Sequence, residues 1–449
     1  MAPKPLPRHF LAAGAMLPLL VWWLGWYPGF ASSDTIDQWA QAQSGLYHGN
    51  HPPIHTLYLG LLSLGGALPG LITLLQVLLL GCLFVYAAHW LTRAGTPTWM
   101  AVAAMWLLAL SPAVAPTTLA MWKDVIFGLF MLWAWIELLG IAADTSREAH
   151  WPTMARLGIS LSGIWLFRGN GPLTVLATTI VLGWALRRQL RSLGLVVACL
   201  AGVVVITLGP LYGALDVQDS GIEPAQVFLP DLAASFVDEP ETFSEEDIEL
   251  LEAVAPLDVW RDRYDCYDST PLLFDPQFDQ GPVRASPEAY LSLEIAVALR
   301  DLDTVLDHRL CASNFVYWPD QPDDAYFHRP PYETPDNEVG LSRDPISYRA
   351  FAVTDGYWRW AEPDSLLWLT WRPAIVVLPA LVAIVLFALY PEGRRFLIPS
   401  SLLVAHLLNV MATTPAQEFR YAYPLYLIAI PTIALLPPTL RRVRRGRST

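Results

Sequence analysis

Ten apolar stretches dominate this sequence: residues 10–27, 70–91, 98–116, 125–143, 157–167, 172–186, 193–215, 373–390, 396–412 and 421–438. A helix that crosses the hydrocarbon core of a bilayer needs about 20 mostly apolar residues, because lipid offers no partner for backbone polar groups. The stretches 157–167 and 172–186 are short and parted by Arg168-Gly169-Asn170-Gly171. They read as one bent pair or as a broken helix lining a cavity. Residues 57–68 are apolar but also short, and read as interfacial or re-entrant. The composition agrees with a membrane chain: of 449 residues 54% are apolar and 15% charged, with a mean hydropathy of +0.38. Those values exclude an ordinary soluble enzyme, a disordered chain and a nucleic-acid binder.

The net charge of −13 averages two different materials. Residues 216–364 hold 33 of the 41 acids and nine of the 28 bases, and the rest of the chain holds eight acids and 19 bases. The sequence therefore predicts an all-α polytopic membrane protein of about ten transmembrane helices with a mainly helical extracytoplasmic insertion. Residues 1–215 form a membrane domain with a first outer loop at 28–56. Residues 216–364 form the acidic domain, and 365–449 the last membrane helices and a basic tail. Basic residues concentrate on the cytoplasmic side of bacterial-type membrane proteins. Lys4, Arg8, Arg93, Arg147, Arg156, Arg187, Arg188, Arg191, Arg394, Arg395 and the arginines of 441–447 all fall there if both termini are cytoplasmic. Trp22, Trp23, Trp26 and Tyr27 crowd the outer end of the first span as an aromatic belt would, and that span reads as an uncleaved anchor rather than a signal peptide. The expected location is a bacterial cell membrane.

Within the insertion, 244–255 opens on a capping pattern with Ile248, Leu251 and Val254 at helical spacing. Residues 286–307 carry Pro287 at a helix start and Tyr290, Leu293, Val297 and Leu306 along one face. Residues 318–346, rich in Pro and Asp, carry no periodic signal. Cys82 and Cys199 lie within spans and read as small buried apolar residues. Cys266 and Cys311 are the insertion's only pair and would face an oxidising compartment. A disulfide between them would stabilise the insertion by roughly 3–4 kcal/mol in the chain-entropy estimate.

This topology gathers polar residues on one membrane face. The first outer loop brings Asp34, Asp37, His51 and His55; the next turn brings Lys123 and Asp124; the third brings Arg168 and Asn170; the last brings Glu418, Arg420 and Tyr421. Ionisable groups near lipid are costly and are functional candidates by default. Each also has a plain structural reading. Asp34 and Asp37 suit the cap of a short helix, and Asp124 the cap of a span. His51 and His55 flank prolines, Lys123 can snorkel to headgroups, and Arg420 can be an interfacial anchor. Arg168, in a Gly-flanked break, has no such simple account. A surface carboxylate can accept a proton from an attacking hydroxyl, and fixed cations can bind a phosphate as it leaves. A site at the outer headgroup level suits a donor whose phosphate carries a long isoprenoid chain.

Tyr27-Pro28-Gly29, Ser32-x-Asp34-x-x-x-Gln38, His51-Pro52-x-x-His55-Thr56 and Trp122-Lys123-Asp124 before a span resemble a bacterial branch of the GT-C superfamily of membrane glycosyltransferases. The resemblance covers about the first 190 residues, and Arg420-Tyr421-x-x-Pro424 fits it more loosely. It implies a multi-span helical fold and transfer of a sugar from a polyprenyl-phosphate donor to a glycan, lipid or protein acceptor. Position by position, Asp34 matches the acidic catalytic residue of the first outer loop, and Lys123-Asp124 the second polar motif. Two departures stand out: the first loop lacks the paired Asp-Glu of many members, and the soluble part is inserted between the seventh and eighth spans rather than appended. On this reading Asp34 is the base, Lys123, Arg168 and Arg420 hold the donor phosphate, and Asp37, His51, His55, Asp124, Asn170, Glu418 and Tyr421 support them. A divalent metal is left undetermined, since two carboxylates and histidines specify no geometry. The alternatives are a transporter or flippase for a lipid-linked or anionic solute, for which a broken helix with charges is also suited, and a scaffold whose acidic insertion binds a partner.

Overall fold

The computed structural model describes residues 8–143, 151–218, 225–323, 325 and 327–445; Lys4, Arg147 and Arg447 of the orientation argument lie outside them. Among the described residues the regular elements are helices, and β-structure is confined to isolated bridges. The first half of the chain runs α1 (Met16–Gly25), α2 (Ser33–Ser44), α3 (Pro53–Leu62), α4 (Gly70–Ala94), α5 (Thr98–Leu110), α6 (Val114–Thr118), α7 (Lys123–Ala143), α8 (Trp151–Leu166), α9 (Gly171–Ala185) and α10 (Leu190–Ile206). Among the described residues six helices are long and apolar enough to cross a bilayer: Gly70–Ala94, Lys123–Ala143, Leu190–Ala214, Asp364–Leu389, Arg394–Thr413 and Phe419–Leu440. The chain is a multi-pass membrane protein. Four further apolar helices, His9–Gly25, Pro53–Leu62, Thr98–Leu110 and Gly171–Ala185, are shorter. The stretch 98–116 breaks at Ser111, which is extended because Pro112 follows it.

At the centre lies α7, apolar over most of its surface and almost wholly buried among α4, α8 and the helices Leu397–Thr413 and Phe419–Ile433. By contrast α10 is peripheral and exposes Val197, Val203, Val205 and Ile206. In lipid that exposure carries no penalty, since acyl chains are as apolar as the side chains they cover. The same reason corrects the expectation for Cys82, which is exposed on α4; Cys199 is half-buried.

The insertion has two parts. Residues 229–297 close a core of their own, with Leu229, Phe236, Leu251, Trp260, Tyr290 and Val297 inside. Phe315, Val316, Phe327 and Trp358 instead join the core of the membrane helices. Ser244 caps Glu245–Val254 by accepting from the Asp247 amide at 3.2 Å. The segment 286–307 is two helices, Pro287–Arg300 and Leu302–Ala312, because Asp301 leaves helical geometry and caps the second. Tyr290, Leu293 and Val297 are buried as expected, while the break turns Leu306 outward. Between Asn314–Val316 and Tyr348–Ala361 there is no helix among the described residues. Cys266 and Cys311 form a disulfide with Cα atoms 5.8 Å apart.

Trp22 and Trp26 do not line a headgroup belt. They are buried beneath Tyr348–Ala361, where Trp26 stacks on Trp358 at 5.4 Å and donates to the Thr354 hydroxyl at 2.9 Å. The insertion has taken the place that lipid headgroups hold at an open span end.

Candidate active site

Four segments meet at one end of the bundle, beside the insertion. Backbone bonds place the first two. The Phe30 amide donates to Leu119 O and the Met121 amide to Phe30 O, both at 2.9 Å, so the first loop lies alongside the residues that lead into α7. Gly29 makes that approach feasible: its φ is +128°, and a Cβ there would sit 2.4 Å from Leu119 O. Trp122 Nε1 donates to the Ser32 hydroxyl at 2.9 Å, and the Thr35 hydroxyl to Met121 O at 3.3 Å. Ser32 is the N-cap of α2, which puts Asp34 in the first turn with its side chain free of capping duty. Gly29→Ala is expected to cost roughly 1–3 kcal/mol of stability, measured as a lower midpoint of thermal unfolding in detergent.

Asp34 reaches across to the far end of the sequence. Arg420 Nη1 donates to Asp34 Oδ2 at 2.6 Å, and the same guanidinium contacts Glu418 and lies 5.5 Å over the Trp122 ring. The Asp34 side chain is 30% exposed and that of Arg420 16%. Burial pushes the Asp34 carboxyl up, but Arg420, His51 and Lys123 outweigh it and hold the group well below the usual carboxylate range. Burial pushes Glu418 up against the pull of Arg420 and His328.

Beside this pair, Arg168 Nη1 lies 2.8 Å from Asp124 Oδ1, both nearly buried. The contact is ionic rather than aligned as a hydrogen bond, since both Asp124 oxygens lack a hydrogen-bond partner. The Arg168 guanidinium lies 4.6 Å over the Tyr421 ring and that of Arg420 5.2 Å over the same ring. Tyr421 thus joins the two ion pairs. The break that carries Arg168 is fixed by α9 and its neighbour. Gly171 packs so tightly that a Cβ would stand 2.0 Å from Ile164 O. Asn170 Nδ2 donates to the Thr413 hydroxyl at 2.7 Å, and Asn409 donates to Asn170 O at 2.8 Å.

Lys123 Nζ lies 3.1 Å from His51 Nδ1. Burial and the adjacent Lys123 push the His51 imidazole down to about 3, so it is neutral and accepts from the lysine. Its Nε2 faces Asp37 at 3.9 Å, and Asp37 also holds His48 at 3.5 Å and accepts from Gln41 at 2.8 Å. His55 stands apart from this group. It is wholly buried, with Nδ1 3.0 Å from Gln38 Oε1 and its ring stacked on Tyr58, and it locks α3 to α2.

Asn409, His406 and His328 are not among the residues that the sequence gathers at this face, and Trp122 enters there only within the Trp122-Lys123-Asp124 motif. Asn409 and His406 sit three apart in an otherwise apolar span, a polar pairing that itself marks function or packing in a membrane. His328 lies in a stretch without periodicity and gave no signal. Its Nε2 is 2.8 Å from Asp268 Oδ2, and its backbone pairs with residues 417 and 419. Burial pushes His328 down, but Asp268 and Glu418 outweigh that and the nearby Arg420, and raise it. A raised histidine adds stability that is complete below its ordinary value of 6.5 and is lost as the pH climbs through the raised one. Thermal stability is therefore expected to fall in the native protein as the pH climbs through that raised value, and to fall less in His328→Gln.

A cavity of about 620 Å³ adjoins Arg168. Pro52 and Pro53 of the first loop, Trp165 and Arg168 of the break, and Leu208 and Tyr212 beyond α10 line it. Leu208 and Tyr212 belong to the end of the apolar helix Leu190–Ala214, which otherwise faces outward. Among the described residues no group of three or more His, Cys, Asp or Glu is placed to hold a metal ion. Asp34, Glu418 and Asp124 are each engaged by a guanidinium, a donor set that does not fit a divalent cation.

The structure is similar to the S. cerevisiae protein O-mannosyltransferase Pmt1–Pmt2 complex bound to the sugar donor (17% identity, 51% of this chain and 36% of that one, TM-score 0.41). It is also similar to the oligosaccharyltransferase AglB from Archaeoglobus fulgidus in complex with an inhibitory peptide and a dolichol-phosphate (12%, 98% and 51%, 0.43). A third is ArnT from Cupriavidus metallidurans bound to undecaprenyl phosphate (15%, 96% and 78%, 0.34). These structural neighbours are GT-C glycosyltransferases. The chain spans about a third of the first of them and half of the second. No curated protein matches the sequence. Residues 43–273, just over half of the sequence, match a family of unknown function (DUF6020), and the chain belongs to that family.

Proposed function

We infer that the protein is a membrane glycosyltransferase that moves a sugar from a polyprenyl-phosphate donor to an extracytoplasmic acceptor. The observation that carries this reading is the pairing of Asp34 with Arg420, with Lys123 and Arg168 close by, at a bundle end beside a cavity walled by a lipid-facing helix. Three cations suit one phosphate, and one carboxylate suits one proton. The acidic segment 216–364 is read as the extracytoplasmic domain, both termini as cytoplasmic, and the membrane as a bacterial cell membrane.

In the proposed reaction the acceptor hydroxyl oxygen attacks the anomeric carbon as its proton passes to an Asp34 oxygen. The bond from that carbon to the phosphate oxygen breaks, and polyprenyl phosphate leaves with the electron pair, inverting the centre. Arg420, Lys123 and Arg168 stabilise the charge that develops on the leaving phosphate. Asp34 is a weak base while Arg420 holds it. A donor phosphate competes for that guanidinium, so donor binding itself raises the proton affinity of the base. His51 keeps Lys123 oriented without adding charge, and Asp124 does the same for Arg168.

The test is transfer of labelled sugar from a synthetic polyprenyl-phosphate sugar to membrane acceptors by the purified protein in proteoliposomes. A covalent product dependent on Asp34 supports the reading. The transporter alternative draws on Arg168 in its helix break beside the cavity. Gradient-dependent uptake of the donor with no covalent product would favour it instead.

A further inference from the structure

The segment that delivers Glu418 and Arg420 is held by the insertion on both edges. On one side the Gln417 amide donates to Tyr267 O at 3.0 Å and the Ser269 amide to Pro415 O at 2.9 Å. On the other, the His328 amide donates to Gln417 O at 2.8 Å and the Phe419 amide to His328 O at 3.1 Å. The Gln417 side chain is wholly buried. It donates to Cys311 O at 3.2 Å and Asn314 Oδ1 at 2.9 Å, and accepts from Arg372 Nη1 at 2.9 Å. Gln417 therefore bonds through its backbone to the neighbour of Cys266 and through its side chain to Cys311, the two ends of the disulfide. The bridge closes the fork in which Gln417 sits. Three residues on, Arg420 meets Asp34.

We propose that the Cys266–Cys311 disulfide and Gln417 are positioning elements that aim Arg420 at Asp34, so that the site is assembled only when the insertion is oxidised. Without the bridge, the 266–269 and 311–314 segments are separate strands of chain, and nothing covalent keeps their two grips on Gln417 in register. Arg420 then loses its fixed origin, while the packing of Leu251 and Val254 against Tyr290, Leu293 and Val297 in the insertion's own core is kept. The activity readout rests on the glycosyl-transfer reading above; the structural readout does not.

The test uses full-length protein in nanodiscs, with hydrogen exchange read by mass spectrometry before and after tris(2-carboxyethyl)phosphine. Reduction is expected to raise exchange at 415–421 at least tenfold and leave the core helices Glu245–Val254 and Pro287–Arg300 unchanged. Labelled-sugar transfer falls about tenfold with a raised donor KM, and both effects reverse on reoxidation. C266A/C311A should behave as the reduced protein and ignore the reductant. Gln417→Ala should raise the donor KM with the disulfide intact. Unchanged exchange at 415–421 after verified reduction overturns the proposal, as does raised exchange with transfer unaltered. If the native protein transfers no sugar at all, the transfer reading fails, and the exchange result alone decides the coupling.

Discussion

Asp34→Asn is expected to fold normally and to lose sugar transfer by about 10²- to 10⁴-fold, the contribution of a positioned general base. Asparagine keeps the shape and can still accept a hydrogen bond from Arg420, but it cannot take the proton. It also releases Arg420 from a full ion pair at 2.6 Å. The loss should therefore fall on kcat, with the donor KM unchanged or lower, a division that separates a lost base from a lost binding residue. The pH profile adds a second check. The base must be ionised, so the rate declines as the pH falls through its value. Held low by its cationic neighbours, Asp34 places the acid limb of kcat/KM below the usual carboxylate range. Engagement of Arg420 by the donor should move the limb of kcat upward. Equal limbs would sink the idea that the phosphate draws Arg420 away.

Arg168→Ala is expected to be the most damaging substitution to the fold itself, at about 3–5 kcal/mol, because it strands the Asp124 carboxylate inside the bundle. Asp124 is 1% exposed and its oxygens have no hydrogen-bond partner to fall back on. Expression and thermal unfolding of Arg168→Ala, Asp124→Leu and the Arg168→Leu/Asp124→Leu pair read this directly. The double variant should recover much of the stability lost in the single arginine change, since two apolar side chains remove both charges. It should not recover transfer, because the phosphate then lacks a cation. Full transfer by the double variant would remove Arg168 from the site.

Much of the fold was legible because lipid imposes a crude rule: long apolar stretches become helices. Residues 70–91, 125–143 and 396–412 match their helices closely. Other parts were hidden for local reasons. Asp301 splits a pattern that read as one helix, since a cap and a helix interior look alike until the backbone turns. Trp22 and Trp26 read as a lipid belt because nothing in their own sequence announces the Tyr348–Ala361 helix that covers them. The candidate residues were recognisable one by one as polar groups at span ends. Their partners were not, because ion pairs such as Asp34–Arg420 join positions 386 apart in the chain.

Sequence alone decided that this chain lives in a membrane, that its acids are segregated into one insertion, and that Cys266 and Cys311 have each other to bond. Those are properties of composition and span length, and they act locally along the chain. Tertiary structure decided which cation meets which carboxylate, that His55 is packing while His51 faces Lys123, and that the insertion grips the residues before Arg420. Electrostatic partnership depends on distance in space and on burial. Only the folded chain sets these, by bringing four remote segments to one end of the bundle.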